Sequence, residues 1–147
     1  MDGLTGWDRR FYDLAVYVAS WSKDPSTKVG AVLVGGDRRL VALGYNGFPP
    51  GIADADERLD DRECRHRLMQ HAERNVLDNA RFDARGGTLY VTFFPCSECA
   101  KSVVSRGIVR VVCPPAVARD PWASDSFWSD LLFSEARIEV VYVERAV

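Results

Sequence analysis

Between residues 88 and 113 the chain runs through an apolar β-rich stretch, a proline, a helical stretch, a glycine and a second apolar β-rich stretch. Residues 88–93 read as a strand. Pro95 suits the start of a helix, where its missing N–H is one of the donors left unpaired anyway. That helix runs to about Arg106, Gly107 terminates it, and 108–113 reads as a second strand. Two strands of one sheet joined through a helix run parallel, which places the chain in the α/β class.

The flanking segments fill in the architecture. Trp7, Phe11, Leu14, Ala15 and Val18 form an apolar stripe of helical period, and Thr5 with Asp8 can cap its start. Residues 22–25 end that helix. Residues 29–34 and 40–44 are short β-rich runs around the turn Gly35-Gly36-Asp37, so they read as a hairpin. A long segment with two prolines, Gly47, Gly51 and many charges follows, and its length marks it as a candidate functional loop. Residues 69–82 have helical spacing with Ala72, Val76, Leu77 and Ala80 on one side, and Gly86-Gly87 closes the unit. After Pro114-Pro115, residues 127–136 look helical and 138–143 form a last strand. The predicted order, α-β-β-α-β-α-β-α-β, implies a mixed five-stranded sheet with helices on both faces. Neither an internal repeat nor a linker is visible, so residues 1–147 read as a single domain.

A chain of 147 residues buries roughly two thirds of its unfolded surface and needs no disulfide staples. Nineteen Lys and Arg against twenty-one Asp and Glu give a net charge of −2, which argues against nucleic acid as a partner, since such binders carry a basic excess. No apolar run reaches the roughly 18 residues of a membrane span. Met1, Asp2, Gly3 and Leu4 open with an acid rather than a basic leader, so no membrane partner and a cytoplasmic location are expected. In a reducing compartment the Cys96-x-x-Cys99 spacing reads as a metal or redox site. Cys113 ends an apolar strand and reads as core, Cys64 as an unpaired loop thiol, and His66 as solvated.

Pro95-Cys96-Ser97-Glu98-Cys99 sits where a strand hands over to a helix. Two thiols at i and i+3 share a helix face, and the helix dipole favours their thiolates. His71-Ala72-Glu73 lies near the start of the preceding helix, and helix starts in parallel α/β units gather at one sheet edge. One imidazole and two thiolates can therefore converge. Three protein ligands with one position open describe a catalytic zinc site rather than a closed structural one. Glu73 stays free to move protons. His-x-Glu followed by Pro-Cys-x-x-Cys is the signature of the zinc deaminases. Cys-x-x-Cys alone would suit a redox pair, and His-Ala-Glu alone means little; it is their order and placement that favour the metal.

Further segments carry a closer resemblance. Ser22-Lys23-Asp24-Pro25, Val29-Gly30-Ala31-Val32, Gly44-Tyr45-Asn46-Gly47, His71-Ala72-Glu73 and Phe94-Pro95-Cys96-Ser97-Glu98-Cys99-Ala100-Lys101, with Gly107-Ile108, resemble the deoxycytidylate (dCMP) deaminases of the cytidine deaminase superfamily. The resemblance covers roughly residues 7 to 113. It implies a three-layer α/β/α fold, one zinc per chain, and conversion of dCMP to dUMP with release of ammonia. It also implies that His71, Cys96 and Cys99 hold the zinc and that Glu73 shuttles protons, serving as base and acid in turn. Asn46 matches the sugar-contacting asparagine and Ala72 the position whose backbone meets the pyrimidine edge. Pro95 and Ser97 flank the carbonyls that receive the amino group. A homo-oligomer, a hexamer in the family's pattern, is implied as well, with Trp122 or Trp128 as candidate interface aromatics.

The chain departs from the family pattern in three places. Asn75-Val76-Leu77 stands where Asn-Ala-Ile is commoner. Asp24-Pro25-Ser26 stands where some phage members carry a cysteine for a second zinc. Residues 114–130, with Arg119-Asp120-Pro121-Trp122, fit only loosely and are expected to border the site. For the substrate's 5′-phosphate, Lys28, Lys23 and Ser22 near the first strand are the expected contacts. Three rival readings remain open at this stage. They are a deaminase of free nucleoside or base, a tRNA adenosine deaminase, whose Glu-Pro-Cys-x-Met-Cys style is not matched here, and a zinc or redox binding module without turnover.

Overall fold

The computed structural model describes residues 4–117 and 123–144. Helix α1 (Gly6–Ala19) is followed by strands β1 (Gly30–Val34) and β2 (Val41–Tyr45), then by α2 (Asp56–Asp60), α3 (Arg62–Leu68) and α4 (Ala72–Asn79). Strand β3 (Thr88–Val91), helix α5 (Ser97–Ser105) and strand β4 (Arg110–Cys113) make the expected β-α-β unit. A 3₁₀ turn (Ala123–Asp125), α6 (Ser126–Glu135) and β5 (Glu139–Tyr142) complete the described chain. The sheet order is β2-β1-β3-β4-β5. β1 is antiparallel to both of its neighbours, and β3, β4 and β5 run parallel. The mixed five-stranded sheet read from the sequence is the one the chain forms.

Strand alternation sorts the sheet's side chains onto two faces. On one face Val32, Val34, Tyr90 and Val112 pack under Tyr12 and Ala15 of α1. On the other, Ala31, Leu33, Leu89, Val91 and Val111 meet Val76 of α4, Val103 of α5 and Phe133 of α6. The layers are therefore α/β/α, with one helix above the sheet and three below. Two glycines set how closely helices approach. A side chain at Gly30 would collide with the backbone of Ala15 and Ala19, and one at Gly44 with the backbone of Val76. Gly107 ends α5 with a φ of +73°, a conformation that glycine adopts at least cost.

The segment after β2 differs from the expected loop. It contains α2 and α3, both too short and too charged to show an apolar period, although Asp61 does cap α3 by accepting from the Cys64 N–H at 3.0 Å. The helix expected over 69–82 is confined to α4 because Gln70 and Gly47 pair as an isolated antiparallel bridge, holding the chain extended up to His71. The strand and helix ends otherwise shift by one to three residues. Cys113, at 0% exposure, is core as expected. Among the described residues no helix is long and apolar enough to cross a membrane.

Thr5 and Asp8 form the expected capping box on α1. Asp8 also receives a forked pair of bonds from Arg110, at 2.6 and 2.8 Å, and a 2.7 Å bond from the Tyr90 hydroxyl. One buried carboxylate thereby ties α1 to β3 and β4. The Arg110 guanidinium beside Asp8 holds its carboxyl well below the usual carboxylate range, against the opposing effect of burial. Asp8→Asn leaves Arg110 facing a neutral amide, and denaturant unfolding at pH 7 should show a loss of about 2 kcal/mol. Because the folded-state pKa is depressed, the carboxylate's contribution is complete above its unfolded value of about 3.9 and fades as pH falls below that. The acid limb of the wild-type stability curve should accordingly flatten in the variant; an unchanged limb would remove Asp8 from that role.

Candidate metal centre and its cleft

Helix N-caps are normally Ser, Thr, Asp or Asn, whose side chains accept a bond from the first turn. The caps of α4 and α5 are His71 and Cys96, and neither makes a side-chain cap bond. Their donor atoms turn toward each other instead. His71 Nδ1 lies 3.5 Å from Cys96 Sγ and 3.4 Å from Cys99 Sγ, and the three atoms all lie within 4.8 Å of one another. Ligands roughly 2.0–2.3 Å from a tetrahedral ion stand roughly 3.3–3.8 Å apart, so the trio fits a zinc-sized cation. Cys64 and His66 belong to no comparable group among the described residues.

The three donors strongly perturb one another. The Cys99 and His71 side chains and the Cys99 backbone N–H together pull the Cys96 thiol down to about 4. His71 is pushed up to about 9 by its bond with Cys96, with the Glu73 charge adding to it. Cys99 is raised, first by Cys96 and then by burial. Glu73, 5% exposed, is raised by burial, and the nearby His71 opposes that rise. Two sulfurs and an imidazole compete here for protons whose place a divalent cation can take.

The centre opens onto a cleft of about 610 Å³ whose walls include His71, Ala72, Glu73 and Cys96, together with Asn46, Phe93 and Phe94. Asn46 Oδ1 accepts from the Val29 N–H and its Nδ2 donates to the Thr27 carbonyl, both at 2.8 Å. It thus pins the entry to β1 while retaining one N–H and one lone pair for a ligand. Ala72 is fully buried in the cleft wall.

Pro95 and Ser97 are not among the cleft-lining residues. The Pro95 carbonyl accepts from Ser129 Oγ at 2.8 Å, and both the N–H and the hydroxyl of Ser97 donate to the Asp125 carboxylate at 2.6 and 2.8 Å. Residues of the loosely matching 114–130 stretch therefore do border the centre, by clamping the start of α5. Arg119, Asp120, Pro121 and Trp122 lie outside the described residues. Ser22 is buried and braces the loop, donating to the Asn46 carbonyl at 2.8 Å. Lys23 is exposed and pairs with Asp54 at 2.8 Å, and Lys28 is exposed. None of the three lines the cleft. Besides His71, the basic side chains in its walls are Arg62, Arg65 and His66, all from α3. They escape sequence reading because α3 carries no apolar period; the Asp61 cap followed by basic residues at i, i+3 and i+4 is the available signal.

The comparisons with known proteins come to the same place. Residues 5–114 match the model for the cytidine and deoxycytidylate deaminase zinc-binding region. A deaminase from the luxG 3′ region of Aliivibrio fischeri, itself uncharacterized, is 38% identical over 142 residues, 95% of each chain. The deoxycytidylate deaminase of Homo sapiens is 36% identical over 120 residues, 76% of this chain; the match spans 66% of the human protein's length. Among solved structures, the dCMP deaminase of cyanophage S-TIM5 superposes with a TM-score of 0.75 at 22% identity, covering 95% of this chain and all of that one, which shows a shared fold. The zinc-binding signature, the His-Cys-Cys trio that carries it and the extent of these matches together place the chain in the cytidine and deoxycytidylate deaminase family.

Proposed function

We propose that this chain is a zinc-dependent hydrolytic deaminase that converts dCMP and water to dUMP and ammonia. The observation that carries the reading is the convergence of His71 Nδ1 with the Cys96 and Cys99 sulfurs beside a buried carboxyl that is not one of the three donors. A closed structural site takes a fourth protein ligand and has no use for a carboxyl kept apart. The relatives named as deoxycytidylate deaminases, and the cyanophage dCMP deaminase solved with dCMP and dUMP, support the choice of nucleotide.

His71, Cys96 and Cys99 would hold one zinc per chain. When bound, zinc supplies Lewis acidity that brings the pKa of water toward about 7. Glu73 takes a proton from the attacking water and delivers it to N3 of the pyrimidine; it then takes the remaining proton from the new hydroxyl at C4 and passes it to the departing amine as the C4–N bond breaks and the carbonyl forms. Burial raises Glu73's affinity for the proton, which suits a group that must accept and release it in one cycle. Asn46 and the Ala72 backbone position the sugar and the pyrimidine edge, and Phe93 and Phe94 supply apolar wall to the cleft. The reading places the enzyme in the cytoplasm, acting on free nucleotide. Exposed Phe127 and Trp128, packed edge to face with centroids 4.9 Å apart, support assembly into a homo-oligomer; the resemblance to the family implies a hexamer.

Ammonia release across cytosine and adenine nucleotides, nucleosides and bases tests the activity: dCMP should lead the panel, and a faster nucleoside, base or adenosine substrate would displace it. Metal analysis should return one zinc per wild-type chain and much less in Cys96→Ala and Cys99→Ala, whereas zinc retained in both variants would disprove the ligand assignment. Glu73→Gln should keep zinc and fold yet lose more than about 10²-fold in turnover, since an amide cannot relay protons; near-normal turnover in a zinc-loaded variant contradicts the role. Light scattering should give a multiple of the 16.4 kDa chain mass, and a monomer at working concentration would refute the assembly.

A further inference from the structure

Helix α3 ends at Leu68, three residues before His71, so its face forms a wall of the cleft that holds the metal centre. Arg62, Arg65 and His66 stand at i, i+3 and i+4, one side of the helix, and all three line that cleft. Arg65 is the unusual member. It is 8% exposed, its Nη1 donates to the Leu59 carbonyl at 2.6 Å, and its Nε has no hydrogen-bond partner among the described residues. Buried guanidinium donors are normally satisfied, so an orphaned N–H in a cleft wall marks a place where a ligand oxygen is wanted.

The charge balance at this wall points the same way. Asp24 is the nearby carboxylate, with Oδ1 3.9 Å from Arg65 Nε, too far for a hydrogen bond. That oxygen is already committed to the backbone N–H groups of Ser26 and Thr27 at 2.8 and 3.0 Å and to the Ser26 hydroxyl. The one carboxylate near Arg65 is therefore busy holding its own turn, and the Arg65 Nε–H is left for another acceptor. A guanidinium pair beside an imidazole matches a phosphate monoester, whose oxygens accept forked, charge-assisted bonds.

We propose that Arg62, Arg65 and His66 form the subsite for the 5′-phosphate of the nucleotide, in place of Lys23, Lys28 and Ser22. The inference rests on the nucleotide reading above and assigns the residues that separate a nucleoside monophosphate from a nucleoside. Arg65 sets the floor, held by Leu59 and near Asp24; Arg62 and His66, exposed at the surface of α3, close on the phosphate from above.

Two measurements test it on the zinc-loaded enzyme: calorimetric affinity for dUMP against deoxyuridine, and the ratio of kcat/KM for dCMP over deoxycytidine. Arg62→Ala and the Arg62→Ala/His66→Ala pair should each weaken dUMP binding and lower the ratio, by roughly 10- to 100-fold for one charge-assisted contact. Arg65→Lys keeps the charge and most of the packing but loses the fork, and should lower the ratio with its unfolding midpoint little changed. Lys28→Ala should leave the ratio as it is. The assignment is overturned if the α3 variants keep wild-type dUMP affinity and ratio, or if Lys28→Ala collapses them. A wild type that binds dUMP no better than deoxyuridine overturns the nucleotide reading and this subsite with it. Tight dUMP binding lost in the α3 variants upholds the subsite even where dCMP turnover is absent, and that failure then falls on the deaminase reading alone.

Discussion

Everything in this molecule depends on two helices beginning within a few ångströms of each other. The N-caps of α4 and α5 are a histidine and a cysteine where the backbone would gain about 1 kcal/mol from a Ser, Thr, Asp or Asn cap, and neither helix recovers that bond through the residue's own side chain. The fold holds the two starts together by other means. Gly44 lets α4 lie directly on β2, and Asn75 fastens it there by donating to the Tyr45 carbonyl at 2.7 Å. At α5 the Asp125 carboxylate takes over the capping role on Ser97, and Ser129 occupies the Pro95 carbonyl. The donor trio is thereby positioned from both sides by parts of the chain distant in sequence.

Much of this was legible before the structure. The β-α-β unit forces a parallel pair, the hairpin forces an antiparallel one, and together they define the mixed sheet. The convergence of the donor trio was legible because cysteines at i and i+3 after a proline, downstream of His-x-Glu, combine local geometry with a specific chemistry. What remained hidden depended on contacts far apart in sequence. Asp8 is readable as a cap but not as the partner of Arg110, 102 residues away. Asn46 is readable as a turn former, yet its amide spans Thr27 and Val29. Helix α3 has no apolar stripe because its business side is cationic, so periodicity is blind to it. Lys23, beside a recognisable motif, pairs with Asp54, a partner 31 residues away that the sequence does not announce.

The cleft brings together three kinds of environment. A soft donor set suits a borderline-soft cation, a carboxyl withdrawn from water suits a proton carrier, and a short cationic helix face suits an anion. Each is unremarkable alone, since buried carboxyls, surface arginines and paired thiols all occur for structural reasons. Their placement around one cavity of about 610 Å³ puts them within reach of a single ligand. The placement also explains why the chain tolerates strained choices there, with caps that do not cap and a buried guanidinium N–H without a partner.

The central claim is that His71, Cys96 and Cys99 form an open three-ligand zinc site. X-ray absorption at the zinc edge of the purified protein tests it directly. The account predicts two sulfur scatterers at about 2.3 Å, one imidazole nitrogen at about 2.0 Å and one further light atom not supplied by the chain. Four protein ligands, a sulfur-only shell, or the absence of zinc from active protein would contradict it.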